Sequence, residues 1–202
     1  MMPAARESLL EAARTALARR PWSAVRMVDV AAAAGVSRQT LYNEFGSKEG
    51  LARALVRREA DAYIAGVDRA LAGPADPRDR LAATAEWTAS AARDSALVRA
   101  LLTGCWSERL PAPTPRPVPS ASAVPAQRRA DGPLPTPGDF VALVRDRAVA
   151  VLAPPGTPRA DTAELARSCE LVVRLALSCV AAPPADGGVA DLVRGALPRQ
   201  SA

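Results

Sequence analysis

Apolar residues recur at helical spacing along most of this chain. Leu10, Ala13 and Leu17 follow one another at steps of three and four with charged residues between them, which predicts an amphipathic helix over residues 4–19. The same spacing, bounded by glycine, proline and serine, predicts helices at 27–34, 38–45, 48–72, 78–104 (as one or two), 138–152, 161–181 and 188–197. Since aromatic residues make up only 3% of the chain, we expect an all-α fold.

Residues 111–137 break this pattern, because they hold nine of the nineteen prolines in the chain. Such a segment cannot continue a helix or build a packed core. We interpret it as a flexible or polyproline-like insertion, with a role as a proline-motif ligand as the alternative.

Two short helices at residues 26–46 have the spacing of a helix-turn-helix. Closely crossing helices need a small residue at the crossing, here Ala31, and a glycine in the turn, here Gly35. Ser37 stands where the second helix needs an N-cap. The apolar positions that face back toward the first helix are Val36, Leu41 and Phe45. This predicts a DNA-binding domain at residues 1–46, followed by a helical effector-binding and dimerisation domain at residues 47–202.

With those residues turned inward, polar side chains of the second helix face outward. Gln39 and Asn43 are able to bond adenine, and Arg38 guanine. The Thr40 and Tyr42 hydroxyls suit phosphate oxygens, as does Lys48 at the start of the next helix. Our candidate DNA contacts are Arg26, Ser37, Arg38, Gln39, Thr40, Tyr42, Asn43 and Lys48. Taken singly, each is also an ordinary solvated residue, and Arg26 is equally a plain surface arginine.

The net charge of +5 lies mostly at the amino-terminal end. Residues 1–60 hold ten basic and six acidic residues, a surplus of +4. A basic end on a neutral body indicates a polyanionic partner there, although an arginine-rich surface explains the charge equally well.

The stretch from Trp22 to Leu55 resembles the DNA-binding domain of the TetR/AcrR family. The motif positions that match are Ala31, Ala34–Ser37, Thr40–Tyr42, Phe45 and Ser47–Glu49. The resemblance implies a three-helix DNA-binding domain, a helical ligand-binding domain, and a homodimer that leaves its operator when a small molecule binds. It also implies that Arg38, Gln39, Thr40, Tyr42, Asn43 and Lys48 face DNA. One departure is the pair Arg26-Met27, where the family often has a capping threonine or serine.

Helix 161–181 is apolar on more than one side. Its seam residues, at alternating steps of four and three, are Leu165, Cys169, Val172, Ala176 and Cys179. The intrachain core and a dimer partner both fit such a helix, and the resemblance favours the seam as the dimer interface. Redox sensing by Cys169 or Cys179 is an alternative to their burial as small hydrophobes.

A small-molecule site is expected among helices 78–104 and 138–152. Candidate lining residues, each of which also fits a plain core, are Trp87, Leu101, Leu102, Trp106 and Phe140. Such a lining suits an apolar or acyl-like effector. Residues 97–104 and the DNA-reading stretch also look similar, loosely, to regulators of alkane and fatty-acid metabolism.

The chain contains no histidine, which removes the commonest metal ligand and general base. We expect no cofactor, no metal, no catalysis and no membrane partner, and a soluble cytoplasmic protein. The predicted function is a sequence-specific regulator, a repressor released by a small hydrophobic ligand. The alternatives are a redox-responsive regulator and an interaction module acting through the proline-rich segment.

Overall fold

The computed structural model describes residues 3–73, 76–112, 135–184 and 187–197. These residues form nine α-helices, one 3-10 turn and no strand, so the predicted all-α class is confirmed. The helices are α1 (Pro3–Arg19), α2 (Met27–Ala33), α3 (Arg38–Phe45), α4 (Lys48–Ala72), α5 (Pro77–Asp94), α6 (Ala96–Thr103), α7 (Pro137–Leu152), α8 (Arg159–Ala181) and α9 (Val189–Ala196), and the 3-10 turn is Trp22–Ala24. Except for its two ends, the proline-rich insertion lies outside the described residues. Within the described part of the chain, no helix has the length and apolar character needed to span a membrane.

The segment 78–104 forms two helices, which settles the choice that the sequence left open. Ser95 lies between α5 and α6 in an extended conformation, and its hydroxyl accepts a hydrogen bond from the Val98 N–H (3.3 Å). A serine N-cap satisfies one of the unpaired donors of a new helix and so favours a helix start at this point.

The chain divides into two compact units. Among the described residues, the first unit contains everything up to Glu59 together with residues 106–112. Its core is formed by large aliphatic side chains, including Leu9, Leu10, Val30, Leu41, Leu51 and Leu55. This unit extends beyond the expected boundary at residue 46, because Leu51 and Leu55 on the first half of α4 are fully buried.

The second unit is a helical bundle in which α8 packs against both α5 and α7, and α9 packs against α5. One side of α5 presents small residues that are almost completely buried, at Ala82, Ala85, Ala89 and Ala92. Small side chains along a helix let its neighbours approach closely, so α5 forms the centre of this unit.

Four of the five seam residues of α8 face this intrachain core, which corrects the prediction that these four form the dimer interface. Cys169, Val172, Ala176 and Cys179 are between 0% and 4% exposed in the single chain, and Leu165 is half-buried. Side chains with no accessible surface left cannot contact a second chain. The error arose because a helix with neighbours on two sides within its own chain has the same apolar pattern as one that dimerises.

Candidate nucleic-acid interface

The turn between α2 and α3 has the geometry that the sequence predicted. Gly35 adopts a left-handed conformation (φ 68°), its N–H donates to the Ala32 carbonyl (3.1 Å), and the Val36 N–H donates to the Ala31 carbonyl (3.0 Å). This pair of bonds closes α2 in a Schellman motif, which requires a residue free to adopt positive φ. Ala31 is 2% exposed, as expected for a small residue at the helix crossing.

Helix α3 is held at both ends. The Ser37 hydroxyl accepts a hydrogen bond from the Thr40 N–H (3.0 Å) and also lies 2.8 Å from the Thr40 hydroxyl. At the other end, Gly46 is left-handed (φ 71°) and its N–H donates to the Tyr42 carbonyl (2.8 Å). The inward side is fixed by Leu41, which has no accessible surface. A short helix fixed at both ends and along its inner side presents its outer side chains in defined positions.

The outer surface of α3 carries the predicted base-reading side chains. Arg38, Gln39, Tyr42 and Asn43 are exposed, and Thr40 is half-buried. The Gln39 Nε2 donates to the Asn43 Oδ1 (2.9 Å), which links two side chains one helical turn apart. Among the described residues, the Arg38 side chain forms no hydrogen bond or ion pair, so its guanidinium is available to a partner.

The exposed side chain of Arg26 is paired with another residue of the same chain. Its guanidinium donates two hydrogen bonds to the Asp29 carboxylate (3.0 and 3.1 Å), and Arg20 approaches the same carboxylate at 3.1 Å. The hydrogen bonds from Arg26 lower the pKa of Asp29 and raise that of Arg26. Arg26 forms no side-chain cap on α2, so the cap that the sequence lacked is also absent from the structure. Asp29 instead joins two arginines at the start of α2, a role that sequence reasoning missed although the i, i+3 spacing from Arg26 signals it.

Lys48 is tied to the turn before α2. Its Nζ donates to the Ser23 carbonyl (3.0 Å) and lies 5.5 Å from the centre of the Trp22 ring. The Trp22 N–H in turn donates to the Arg109 carbonyl (2.8 Å), in the segment that follows α6 and belongs to the same compact unit. The ammonium of Lys48 therefore fixes the Trp22–Ala24 turn to the start of α4.

The predicted ligand-lining residues do not all come together. Leu101, Leu102 and Phe140 are 2–3% exposed in the interior of the second unit. Trp87 is half-buried there, and its Nε1–H donates to the Tyr63 carbonyl (3.0 Å). Trp106 belongs to the first compact unit instead and is not grouped with the other four.

The two seam cysteines are poor candidates for redox chemistry. Cys169 has no accessible surface and Cys179 is 4% exposed, so neither thiol is open to an oxidant, and burial raises the pKa of the Cys169 thiol to about 11. A thiol with such a pKa remains protonated near neutral pH, and the thiolate is the form that reacts. The redox alternative therefore has no support from the geometry. In the described residues, no group of three or more acidic or sulfur ligands could hold a metal ion.

Comparisons with known proteins agree with this arrangement. Residues 9–55 match the family model of bacterial regulatory proteins of the tetR family. The HTH-type transcriptional regulator AlkX of Mycobacterium tuberculosis is 52% identical over 66 residues, which are 33% of this chain and 31% of AlkX. The HTH-type transcriptional activator FasR of Mycolicibacterium smegmatis is 40% identical over 81 residues, which are 40% of this chain and 37% of FasR. The chain thus spans about a third of the length of the curated relatives it matches.

Solved structures extend the likeness of fold to nearly the whole chain. A TetR/AcrR-family regulator from Thermobifida fusca YX-ER1 superposes with a TM-score of 0.57 at 14% identity, covering 96% of this chain and 98% of that one. AibR, solved in complex with isovaleryl coenzyme A and operator DNA, superposes with a TM-score of 0.50 at 18% identity, covering 96% and 97%. At these identities the likeness concerns the fold alone.

Proposed function

We propose that the chain, whose residues 9–55 match the tetR family model, is a regulator of that family that binds operator DNA as a homodimer and is released by a small hydrophobic ligand. The observation that carries the DNA-binding part is the outer surface of α3. Arg38, Gln39, Tyr42 and Asn43 are exposed there, while Leu41 on the opposite side is fully buried. An α-helix fits the major groove of B-DNA, where arginine and amide side chains distinguish bases by bidentate hydrogen bonds.

The phosphate backbone of DNA is expected to contact residues of the first unit that flank the outer surface of α3. The surplus of +4 within residues 1–60 provides attraction to phosphates, and each neutralised phosphate releases counterions. Lys48 and Arg26 hold their protein partners through some of their N–H groups and keep others for phosphate oxygens. Ser37 and Thr40 lie at the start of α3, where unpaired backbone donors favour an anion.

The DNA-binding proposal is tested by selecting duplexes from a random pool and footprinting the enriched site. We expect a near-palindrome with half-sites about one helical turn apart, or multiples of it, because each protomer presents one α3. Arg38→Ala should weaken binding to the enriched site far more than a control substitution such as Thr15→Ala, which changes an exposed residue of α1. Absence of any enriched sequence at moderate salt would refute the proposal.

The homodimer is proposed to use the exposed side of α8 and α9. Leu171 on α8 is 46% exposed and Leu192 on α9 is 43% exposed, and these two helices contact each other. A second copy of the chain covers such a surface by two-fold symmetry, since the same patch serves both protomers.

A matched pair of variants tests this surface. Leu171→Glu should shift the chain from dimer to monomer in light-scattering chromatography, because it buries a charge in the interface. Val151→Glu changes a residue of equal exposure (48%) on α7 and should leave the dimer intact. Dimer retained in the first variant, or lost equally in both, would contradict the assignment.

The effector is proposed to be apolar or acyl-like. The support is the aliphatic and aromatic character of the second unit around Leu101, Leu102 and Phe140, together with the isovaleryl coenzyme A bound by AibR. A panel of acyl coenzyme A thioesters, fatty acids and alkanes, added to the protein–operator complex, should contain compounds that release the DNA. Release by polar metabolites alone would contradict this class of effector.

Deletion of the proline-rich segment distinguishes an interaction module from the proposed regulator. Residues 113–134, the segment through which such a module would act, lie outside the described residues. A regulator should keep operator affinity when that segment is removed, whereas a module that acts through the prolines should lose its partner.

A further inference from the structure

The hydrogen bond between Gln39 and Asn43 stands out on the outer surface of α3. Both side chains are exposed amides one helical turn apart, and the Gln39 Nε2 lies 2.9 Å from the Asn43 Oδ1. The adjacent Thr40 hydroxyl is occupied differently, by Ser37 at 2.8 Å. The two amides therefore form a unit separate from the capping contacts of the helix.

The donors and acceptors left over by this bond are limited. Gln39 uses one of the two hydrogens on Nε2 to reach the Asn43 Oδ1, which leaves it one N–H and the free Oε1. Turning the Gln39 amide over by itself would place its Oε1 against the Asn43 Oδ1, and two acceptors repel each other, so the hydrogen bond survives only if both amides turn over together. As long as Asn43 presents its Oδ1, it holds the Gln39 amide in the orientation in which one donor and one acceptor point outward side by side.

On a single base, this pattern has one complement in the major groove. Adenine offers the N6 amino group as a donor beside N7 as an acceptor, whereas guanine offers two acceptors, O6 and N7. Guanine would place its O6 against the Gln39 Oε1. We propose that Gln39 reads one adenine in each half-site and that Asn43 acts as the positioning residue that fixes the Gln39 amide for this contact. The inference rests on the proposed binding of operator DNA by α3.

The test uses the full chain and a duplex enriched from the random pool, with affinity followed by fluorescence anisotropy. Each adenine of a half-site is replaced in turn by 7-deazaadenine, which lacks the N7 acceptor, and by guanine in a matched base pair. We expect one position at which wild-type binding weakens by roughly 5- to 150-fold, the range for one bidentate contact. Gln39→Ala should bind the original and replaced duplexes equally at that position.

Asn43 is tested through the ratio of adenine to guanine affinity at the same position. Asn43→Ala should reduce the ratio, because the amide of Gln39 is then free to turn over. Asn43→Asp keeps an acceptor for the Gln39 N–H, so it should preserve the ratio while its negative charge weakens binding to every duplex. Thermal melting of each variant in the absence of DNA checks that α3 remains folded.

The possible failures are distinguishable. If the wild-type chain enriches no sequence, the proposed function fails. If it binds a specific site and Gln39→Ala keeps the wild-type preference at every position, the reading of adenine by Gln39 is overturned while the proposed function stands. If Asn43→Ala leaves the adenine-to-guanine ratio unchanged, the positioning role of Asn43 is overturned.

Discussion

Two adjacent residues of α8 should respond to substitution in opposite ways. Val172 is 1% exposed and faces the intrachain core, whereas Leu171 is 46% exposed on the proposed dimer surface. Val172→Ala removes two buried carbon groups, a loss of about 1.6 kcal/mol in transfer free energy, and the remaining cavity raises the cost to about 2–3 kcal/mol. For a chain of this size, that lowers the melting temperature by about 4–12 °C.

Leu171→Ala should have the complementary effect. Its side chain is already half in water in the single chain, so the variant should lose about 1 kcal/mol or less of intrachain stability. It should instead raise the dissociation constant of the dimer, since the apolar area that a second chain covers is smaller.

The assay combines circular-dichroism melting with sedimentation, at protein concentrations above and below the dissociation constant of the wild-type dimer. At the lower concentration, only Val172→Ala should melt at a reduced temperature. At the higher concentration, only Leu171→Ala should sediment as a monomer. The reverse pattern, with Val172→Ala dissociating the dimer while the monomer keeps its melting temperature, would refute the assignment of the two sides of α8.

Three further substitutions test local features. Ser37→Ala removes the N-cap of α3 and should lower the free energy of unfolding by about 1 kcal/mol, seen in urea titrations; an unchanged midpoint would contradict the cap. Gly66→Ala places a methyl group into the indole of Trp87, and this overlap should outweigh the gain of about 1 kcal/mol in helix propensity, so that a higher melting temperature would count against the packing. The hydrogen bond from Arg14 is the largest cause that lowers the pKa of Glu11 from 4.5 to about 2. Because this folded pKa lies below the unfolded value, the contribution of Glu11 to the free energy of unfolding is present above pH 4.5 and is lost as the pH falls toward 2. The stability difference between Glu11→Gln and wild type should therefore shrink over that window. A difference that stays constant with pH would contradict the linkage.

The sequence allowed the first unit to be predicted closely because local chemistry determines it. Gly35 and Gly46 adopt the positive φ that their places after helices demand, and Ser37 caps α3 as its position indicated. These are interactions between residues a few positions apart, which a single sequence records directly. The sequence alone leaves the division of 78–104 at Ser95 open, since a serine is also tolerated within a helix.

The second unit was harder to predict because its packing depends on residues far apart in the chain. The apolar pattern of α8 does not indicate whether Val172 packs against α5 of the same chain or against a second copy of the chain. The same limit applies within the first unit, where the contact of Lys48 with Ser23 is a tertiary interaction that the position of Lys48 at the start of a helix does not indicate. The apolar character of Trp106 likewise does not specify the unit that this residue joins.

The central claim is that α3 reads the base sequence of duplex DNA, and the ratio of specific to non-specific affinity tests it most directly. The dissociation constants of the wild-type chain for its enriched duplex and for a scrambled duplex of the same composition are measured at equal, near-physiological salt. We predict a preference of about a thousandfold or more, the lower range for specific regulators, and a much smaller ratio for Arg38→Ala with unchanged binding to the scrambled duplex. Equal affinity of the wild-type chain for the two duplexes would contradict the claim. So would a ratio of specific to non-specific affinity that stays at the wild-type value in both Arg38→Ala and Gln39→Ala.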